Sequence, residues 1–344
     1  MSKRPTIFDL ADYTGVSRGT ISRAFNNQPG INSRTREKVL KAAREIGYIP
    51  HNGARMMKLG RTSRWAFLVP HLHNPYYAEL VEALNLETQE NGITLLVGIS
   101  NNNKQRESEM ILQWTAGETD GLILDQSHYH DNPPMFEQLK ARGISMIFLH
   151  GNPIPGFDFV RYEFFESVTR VMSLYEQMGH TRIGYAGQKF PGCRETARFR
   201  AYEKHSTAKG KRLDESLIYF GDDGAQGGIN AFRYWSALKE PPTAVFCADD
   251  SVACGVIHAT RIAGWSIPKD LSIVGVDDIA ESARVGLTTI GTSRAKTAKT
   301  VFDLLRLRSA DFEKPPEVHS IPSELILRDS IACPPLKPLK PREP

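Results

Sequence analysis

Thr6-Ile7-Phe8-Asp9-Leu10-Ala11-Asp12-Tyr13-Thr14-Gly15-Val16-Ser17-Arg18-Gly19-Thr20-Ile21-Ser22-Arg23-Ala24-Phe25 is the stretch that decides how this chain is built. Thr6 followed three residues later by Asp9 is a helix start signal, the threonine capping and the aspartate in the first turn. Ile7, Leu10 and Ala11 recur at helical spacing, and Gly15 supplies the permissive backbone of a tight turn after Thr14. Ser17 caps a second helix whose buried stripe is Ile21, Ala24 and Phe25. Beyond it, Asn32 or Ser33 starts a third helix carrying Val39, Leu40, Ala43 and Ile46 and closed by Gly47. Three short helices around one apolar core make a folded head.

The chain has 344 residues, 40% hydrophobic and 24% charged, which is globular composition with room for two or three cores. Its net charge of +4 hides an asymmetry. Residues 1–64 hold 13 Lys/Arg against 4 Asp/Glu, a net of +9, and the remainder holds 30 against 35, a net of −5. A basic head on a mildly acidic body points to a polyanion contact at one end. Residues 1–10 show no secretory h-region, and no apolar run suffices for a membrane helix, so a cytoplasmic protein is expected. Cys193, Cys247, Cys254 and Cys333 show no C-x-x-C spacing and read as reduced thiols.

In a helix-turn-helix the first residues of the second helix face base edges in the major groove. Here these are Ser17, Arg18, Gly19 and Thr20, with Ser22, Arg23 and Asn26 one and two turns on. Arg18 and Arg23 suit bidentate contacts to guanine, whereas Ser17, Ser22 and Asn26 suit phosphates. After Gly47-Tyr48-Ile49-Pro50, residues 51–59 fit one short helix, marginal by itself because of its length and its glycine.

Val16-Ser17-x-x-Thr20-Ile21-Ser22-Arg23, Gly47-Tyr48-Ile49-Pro50 and Ala54-Arg55-x-Met57 together resemble the lactose-repressor (LacI/GalR) family of transcription regulators. The resemblance implies a linker that becomes a hinge helix on operator DNA, where a leucine wedges into the minor groove. Met57 stands at that leucine's place; it is apolar and long enough to intercalate, but more flexible. The expected DNA-facing set is Thr6, Ser17, Arg18, Gly19, Thr20, Ser22, Arg23, Asn26, Asn52, Arg55, Met56 and Met57.

From Trp65 onward, apolar runs at 65–70, 93–99, 121–125, 144–149, 182–186, 244–248 and 271–276 alternate with helical stretches. That alternation predicts an α/β body of parallel sheets covered by helices, in two lobes because about 280 residues exceed one ordinary core. Ligands in such sheets bind outside the carboxyl ends of strands, where His71, Tyr76, Tyr77, His150, Asp249 and Asp277 fall. The family resemblance continues through Asn74-Pro75-Tyr76-Tyr77, Gly179-His180-x-Arg182-Ile183, Arg198-x-x-Ala201-Tyr202, the stretch Val245 to Gly255, the stretch Pro268 to Asp278, and Leu287-Thr288-Thr289-Ile290. It implies a periplasmic-binding-protein-like body, Arg198 as an effector contact and Asp277 as acceptor of effector hydroxyls. Departures from the family pattern are His150 where many sugar binders place aspartate, Asp223 at an aromatic position, and Asp249 for asparagine. Glu163-Phe164 stands for Asp-Asn, and Gly291-Thr292 for Arg-Gln.

The expected organisation is a helix-turn-helix domain at 1–50, a hinge linker at 51–64, a two-lobed effector and dimerisation body at 65–332 and a Pro-rich tail at 333–344. The first lobe spans 65–161 and 292–321, the second 162–291 and 322–332. Carboxylates and aromatic faces suit a sugar or polyol, and His150 with Arg198 suits the acid group of a sugar acid. The expected partners are palindromic operator DNA, that small effector and a second copy of the chain, with neither cofactor nor membrane. No catalytic motif stands out, and a sugar-binding protein or sugar-acting enzyme built on the same cleft is the rival reading. His71-Leu72-His73 and His128-Tyr129-His130-Asp131 lack a third ligand at helical spacing and read as surface-loop histidines rather than metal sites. Gly221-x-x-Gly224-x-x-Gly227-Gly228 lacks the residues of a phosphate loop and reads as a turn.

Overall fold

The computed structural model describes residues 5–25, 29–49, 62–125 and 132–335. Asn26, Asn52, Arg55, Met56, Met57, the helix expected over 51–59 and the His128 to Asp131 run lie outside the described residues. The chain divides into two compact units, Met1–Thr62 and Ser63–Pro344.

The first unit contains α1 (Ile7–Thr14), α2 (Arg18–Phe25) and α3 (Ser33–Ile46). Thr6 and Asp9 form a full capping box: the threonine oxygen accepts the Asp9 N–H, and the aspartate accepts the Thr6 N–H at 2.6 Å. Gly15 turns the chain at φ 68, and Gly47 closes α3 at φ 71. Asn32 caps α3 by accepting the Thr35 N–H at 2.7 Å. Leu10, Ile21, Ala24, Val39, Ala42, Ala43 and Tyr48 form the core. Ala42 occupies the inward position expected of Leu40, because the buried stripe of α3 runs Val39, Ala42, Ala43, Ile46, at offsets of three, four and seven residues.

The second unit holds two six-stranded sheets. The first is built from β1 (Arg64–Val69), β2 (Thr94–Ile99), β3 (Gly121–Asp125), β4 (Ser145–Leu149), β5 (Asp158–Tyr162) and β11 (Val318–Ile321), in the order β11-β5-β4-β3-β1-β2 and parallel throughout. The second contains β6 (Ile183–Gln188), β7 (Ile218–Gly221), β8 (Ala244–Cys247), β9 (Ser272–Asp277), β10 (Thr288–Thr292) and β12 (Ser323–Ile326), ordered β12-β10-β9-β8-β6-β7. Only its edge strand β12 runs antiparallel. Central strands such as β3, β4 and β9 are buried along their whole length, as continuous apolar runs covered on both faces must be.

The helices that cover the sheets are α4 (Pro75–Glu90), α5 (Lys104–Thr115), α6 (Pro133–Ala141), α7 (Phe164–Gln177), α8 (Ala197–Ser206), α9 (Gly224–Ser236), α10 (Asp250–Ile262), α11 (Ala280–Arg284) and α12 (Arg294–Ala310). The chain passes from the first sheet to the second after β5, returns after β10 through α12, which packs on α4 and β4, and crosses again between β11 and β12. The glycine run expected as a turn does something else. Gly221 ends β7, and Gly227 and Gly228 lie inside α9, where a Cβ on Gly228 would stand 1.9 Å from the Val252 carbonyl oxygen of α10. Gly255 meets Ala225 in the same way at 2.0 Å. These glycines exist to let two helix backbones touch.

Candidate functional site

In the first unit, Ser17, Arg18, Gly19 and Arg23 are exposed, with Thr6, Thr20 and Ser22 half-buried. Ser17 sits at the head of α2, where its oxygen accepts the Thr20 N–H at 3.2 Å. The Arg18 guanidinium lies 4.6 Å from the centre of the exposed Phe8 ring, a stacked resting place on a neighbouring aromatic. Lys38, also basic, is engaged at the end of α1, donating to the Thr14 carbonyl at 2.8 Å. The exposed cations of α2 are Arg18 and Arg23.

In the second unit the strand ends of both sheets meet at a cleft. Asn74 caps α4 by accepting the Tyr76 N–H at 3.0 Å, and its amide donates across the cleft to the Asp277 carboxylate at 3.5 Å. Tyr76 reaches His150 Nε2 at 3.2 Å and the Tyr162 hydroxyl at 2.5 Å. The other imidazole nitrogen, Nδ1, donates to Asp125 Oδ1 at 2.5 Å, since a carboxylate only accepts. Asp125 Oδ2 is buried and has no hydrogen-bond partner among the described residues. Arg198 on α8 donates to the Ala248 carbonyl at 2.8 Å, lies 3.8 Å from Asp277 Oδ1 and stacks 4.4 Å over Phe164. Arg294, the first residue of α12, donates to the Asp277 carbonyl, pairs with Glu79 at 3.3 Å and covers the Tyr76 ring at 4.3 Å.

Backbone outliers lie here, among them Asp277 and His150. Asp277 has φ 112 and His150 has φ 55, both immediately at strand ends. Left-handed backbone at a non-glycine residue costs of the order of 1–3 kcal/mol and persists where surrounding contacts over-determine it. At Asp277 those contacts are Asn74, Arg198 and Arg294.

Electrostatics favours protons on Asp249 and Asp277. Burial, then the Asp277 charge, pushes Asp249 up to about 7, although it caps α10 by accepting the Val252 N–H at 2.8 Å. Burial likewise raises Asp277, opposed by Arg198 and Arg294. Asp223 goes the other way. Burial acts against its charge, but hydrogen bonds from His71 and His73 hold it down to about 2.

The structure thus brings Tyr76, Tyr77, His150, Arg198, Asp249 and Asp277 to one cleft, with the charges of Asp277, Arg198 and Asp223 all acting on the buried Tyr77 hydroxyl. His71 and Asp223 meet at 3.0 Å, joined by His73 at 2.8 Å, so these histidines are not plain surface-loop residues. Two cleft residues escaped that reading. Asp125 is the last residue of β3 and carried the same strand-end signal as its neighbours. Arg294 sits behind the Gly291-Thr292 departure, where only the return of the chain through α12 places it beside Asp277.

A three-helix head with an exposed basic recognition helix, followed in the chain by a two-lobed α/β body with a polar cleft, defines a ligand-responsive DNA-binding transcription regulator. A model of bacterial regulatory proteins of the lacI family matches residues 6–51, and one of periplasmic binding protein-like domains matches residues 173–331. The transcriptional repressor CytR of Escherichia coli K12 is 30% identical over 315 residues, spanning 87% of this chain and 88% of the relative. This chain belongs to the lacI family. Among solved structures, the lac repressor dimer bound to operator and an anti-inducer superposes with a TM-score of 0.80 at 22% identity, covering 96% of this chain and 100% of that one. The regulator CelR in complex with cellobiose is 25% identical with a TM-score of 0.67, covering 95% and 100%. Among the described residues, no helix is long and apolar enough to cross a membrane.

Proposed function

We propose that this chain is a homodimeric, cytoplasmic repressor, not an enzyme, that releases or grips a palindromic operator in response to a sugar, polyol or sugar acid. Residues 1–50 form the DNA-binding head, 51–64 the hinge and 65–332 the sensor, with lobes at 65–161 plus 292–321 and 162–291 plus 322–332. Arg18 and Arg23 read bases; Thr6, Ser17, Gly19, Thr20, Ser22 and Asn26 position the head; Asn52, Arg55, Met56 and Met57 act in the hinge.

The observation that carries the effector reading is the cleft itself. Asp125 offers a buried carboxylate oxygen without a partner among the described residues, Asp249 and Asp277 add two more acceptors, and Arg198 and Arg294 supply donors beside aromatic faces. Convergent acceptors with adjacent donors match vicinal hydroxyls, and the arginines match an acid group on the same ring. The cellobiose complex of a relative with the same fold supports a carbohydrate ligand. A thermal-shift screen of the full chain against sugars, polyols, sugar acids and sugar phosphates should find one class that raises Tm in a concentration-dependent way. The same compound should then change operator affinity in an anisotropy titration. A compound that stabilises the chain without altering operator binding would favour a plain binding protein, and turnover of it would favour an enzyme.

A further inference from the structure

His71 and His73 follow β1 of the first sheet, whereas Asp223 follows β7 of the second and caps α9. Asp223 Oδ1 is anchored by the Gly224 N–H at 2.8 Å, which leaves Oδ2 facing the opposite lobe. Both imidazole Nε2 atoms converge on that single oxygen, His71 at 3.0 Å and His73 at 2.8 Å. The rings stack at 3.7 Å, and the ring of the buried Tyr77 holds His71 edge-on at 5.0 Å. All three ligand atoms lie within 4.8 Å of one another. His73 is largely exposed, with 58% of its side chain open to solvent, so an ion has an entry path.

We propose that His71, His73 and Asp223 form a binding site for a first-row divalent transition metal ion of the zinc type, which ties the two lobes of the body together. Two imidazoles and one carboxylate are a borderline-soft donor set that suits zinc, cobalt or nickel and not magnesium. Tetrahedral zinc with bonds of roughly 2.0–2.1 Å holds its ligand atoms about 3.3 Å apart, so the histidines need to withdraw from Asp223 by a few tenths of an ångström and their stacked rings to splay until both Nε2 lone pairs point at one ion. Three protein ligands leave a fourth position for water or for an oxygen of a molecule in the cleft. Because each lobe supplies part of the set, an ion bound by all three ligands favours whichever lobe arrangement brings them together. The spacing His71-Leu72-His73 lacked a third ligand in the sequence; the third ligand arrives from 150 residues further on.

The test uses the full chain stripped with EDTA, without sugar or DNA, so that it stands apart from the effector and operator readings. Added Zn2+ should raise Tm and saturate at one ion per chain, Mg2+ should not, and Co2+ should give visible d–d absorption of a nitrogen- and oxygen-ligated ion. His73→Ala and Asp223→Asn should each weaken Zn2+ binding at least about tenfold, the loss that even a supporting residue of a metal site carries. The exposed His258→Ala serves as control and should bind as before. Metal-free Tm values of the variants report whether they fold. No Zn2+ stabilisation of the unaltered chain, or a shift undiminished in both His73→Ala and Asp223→Asn, would overturn the proposal and leave a hydrogen-bonded contact between lobes.

Discussion

Asp250 shows how much one side chain carries in this molecule. It is fully buried, accepts from the hydroxyls of Ser282 and Thr289 at 2.6 Å each and from the Ile279 N–H at 3.1 Å, and so ties α10 to β10 and the start of α11. Burial, followed by the Asp277 charge, nevertheless raises it to about 8 from an ordinary 3.8. A carboxyl whose folded value lies above its unfolded value contributes stability that is complete below the unfolded value and is lost as pH rises toward the folded one. Unfolding free energy should therefore fall between about pH 4 and 8, by at most about 1.4 kcal/mol per pH unit from this group. Asp250→Asn should flatten that slope in urea titrations at several pH values; parallel slopes would sink the assignment. In the head, Arg18→Ala should cost about 1–3 kcal/mol on a selected operator and little on a scrambled duplex, read by anisotropy. Equal losses on both would make Arg18 a phosphate contact. Strand-end acids and caps were legible in the sequence because each is a local signal. Arg294 was not, because its partner Asp277 belongs to a different lobe.

Helix boundaries were the most readable elements. Thr6, Ser17 and Asn32 accept from N–H groups three residues on, which a linear pattern displays. The central strands β1, β3, β4, β6, β8 and β9 were readable too, as uninterrupted apolar runs, whereas β10 carries three threonines and a glycine and shows no such run. The strands that no apolar run marks are β5, β7, β10, β11 and β12, each of four or five residues; β7, β11 and β12 lie at sheet edges. Edge strands carry mixed sequences because one side faces solvent. Gly228 misled for a different reason: it makes room for contact with a partner helix, which is invisible along one chain. Gly228→Ala should cost about 1–3 kcal/mol or more in urea unfolding, since the added methyl meets backbone rather than a movable side chain. A cost under about 0.5 kcal/mol would show that the helices can separate freely.

For the whole molecule, response depends on the lobes sharing one cleft. Asn74, Glu79 and Arg294 of the first lobe reach Asp277 and the Ala280 N–H of the second, so a ligand between them biases the angle at which the lobes sit. An effector shifts operator affinity only by its difference in affinity for the two arrangements, typically about 1–3 kcal/mol. Asp277→Asn should abolish the effector-induced change in operator affinity while leaving operator binding in the absence of effector intact. A retained response would remove Asp277 from the effector's contacts.

Taken alone, the sequence determined the head, its caps, the partition of charge into +9 and −5, and the alternating pattern of the body. These are local properties, set by spacing along the backbone and by the charge each residue carries. Tertiary structure decided which strand ends face one another, and therefore that Asp125 and Arg294 join the cleft and that Asp223 meets His71 and His73. The chain crosses between sheets three times, so groups far apart in sequence become neighbours. Only long-range sheet order sets those pairings.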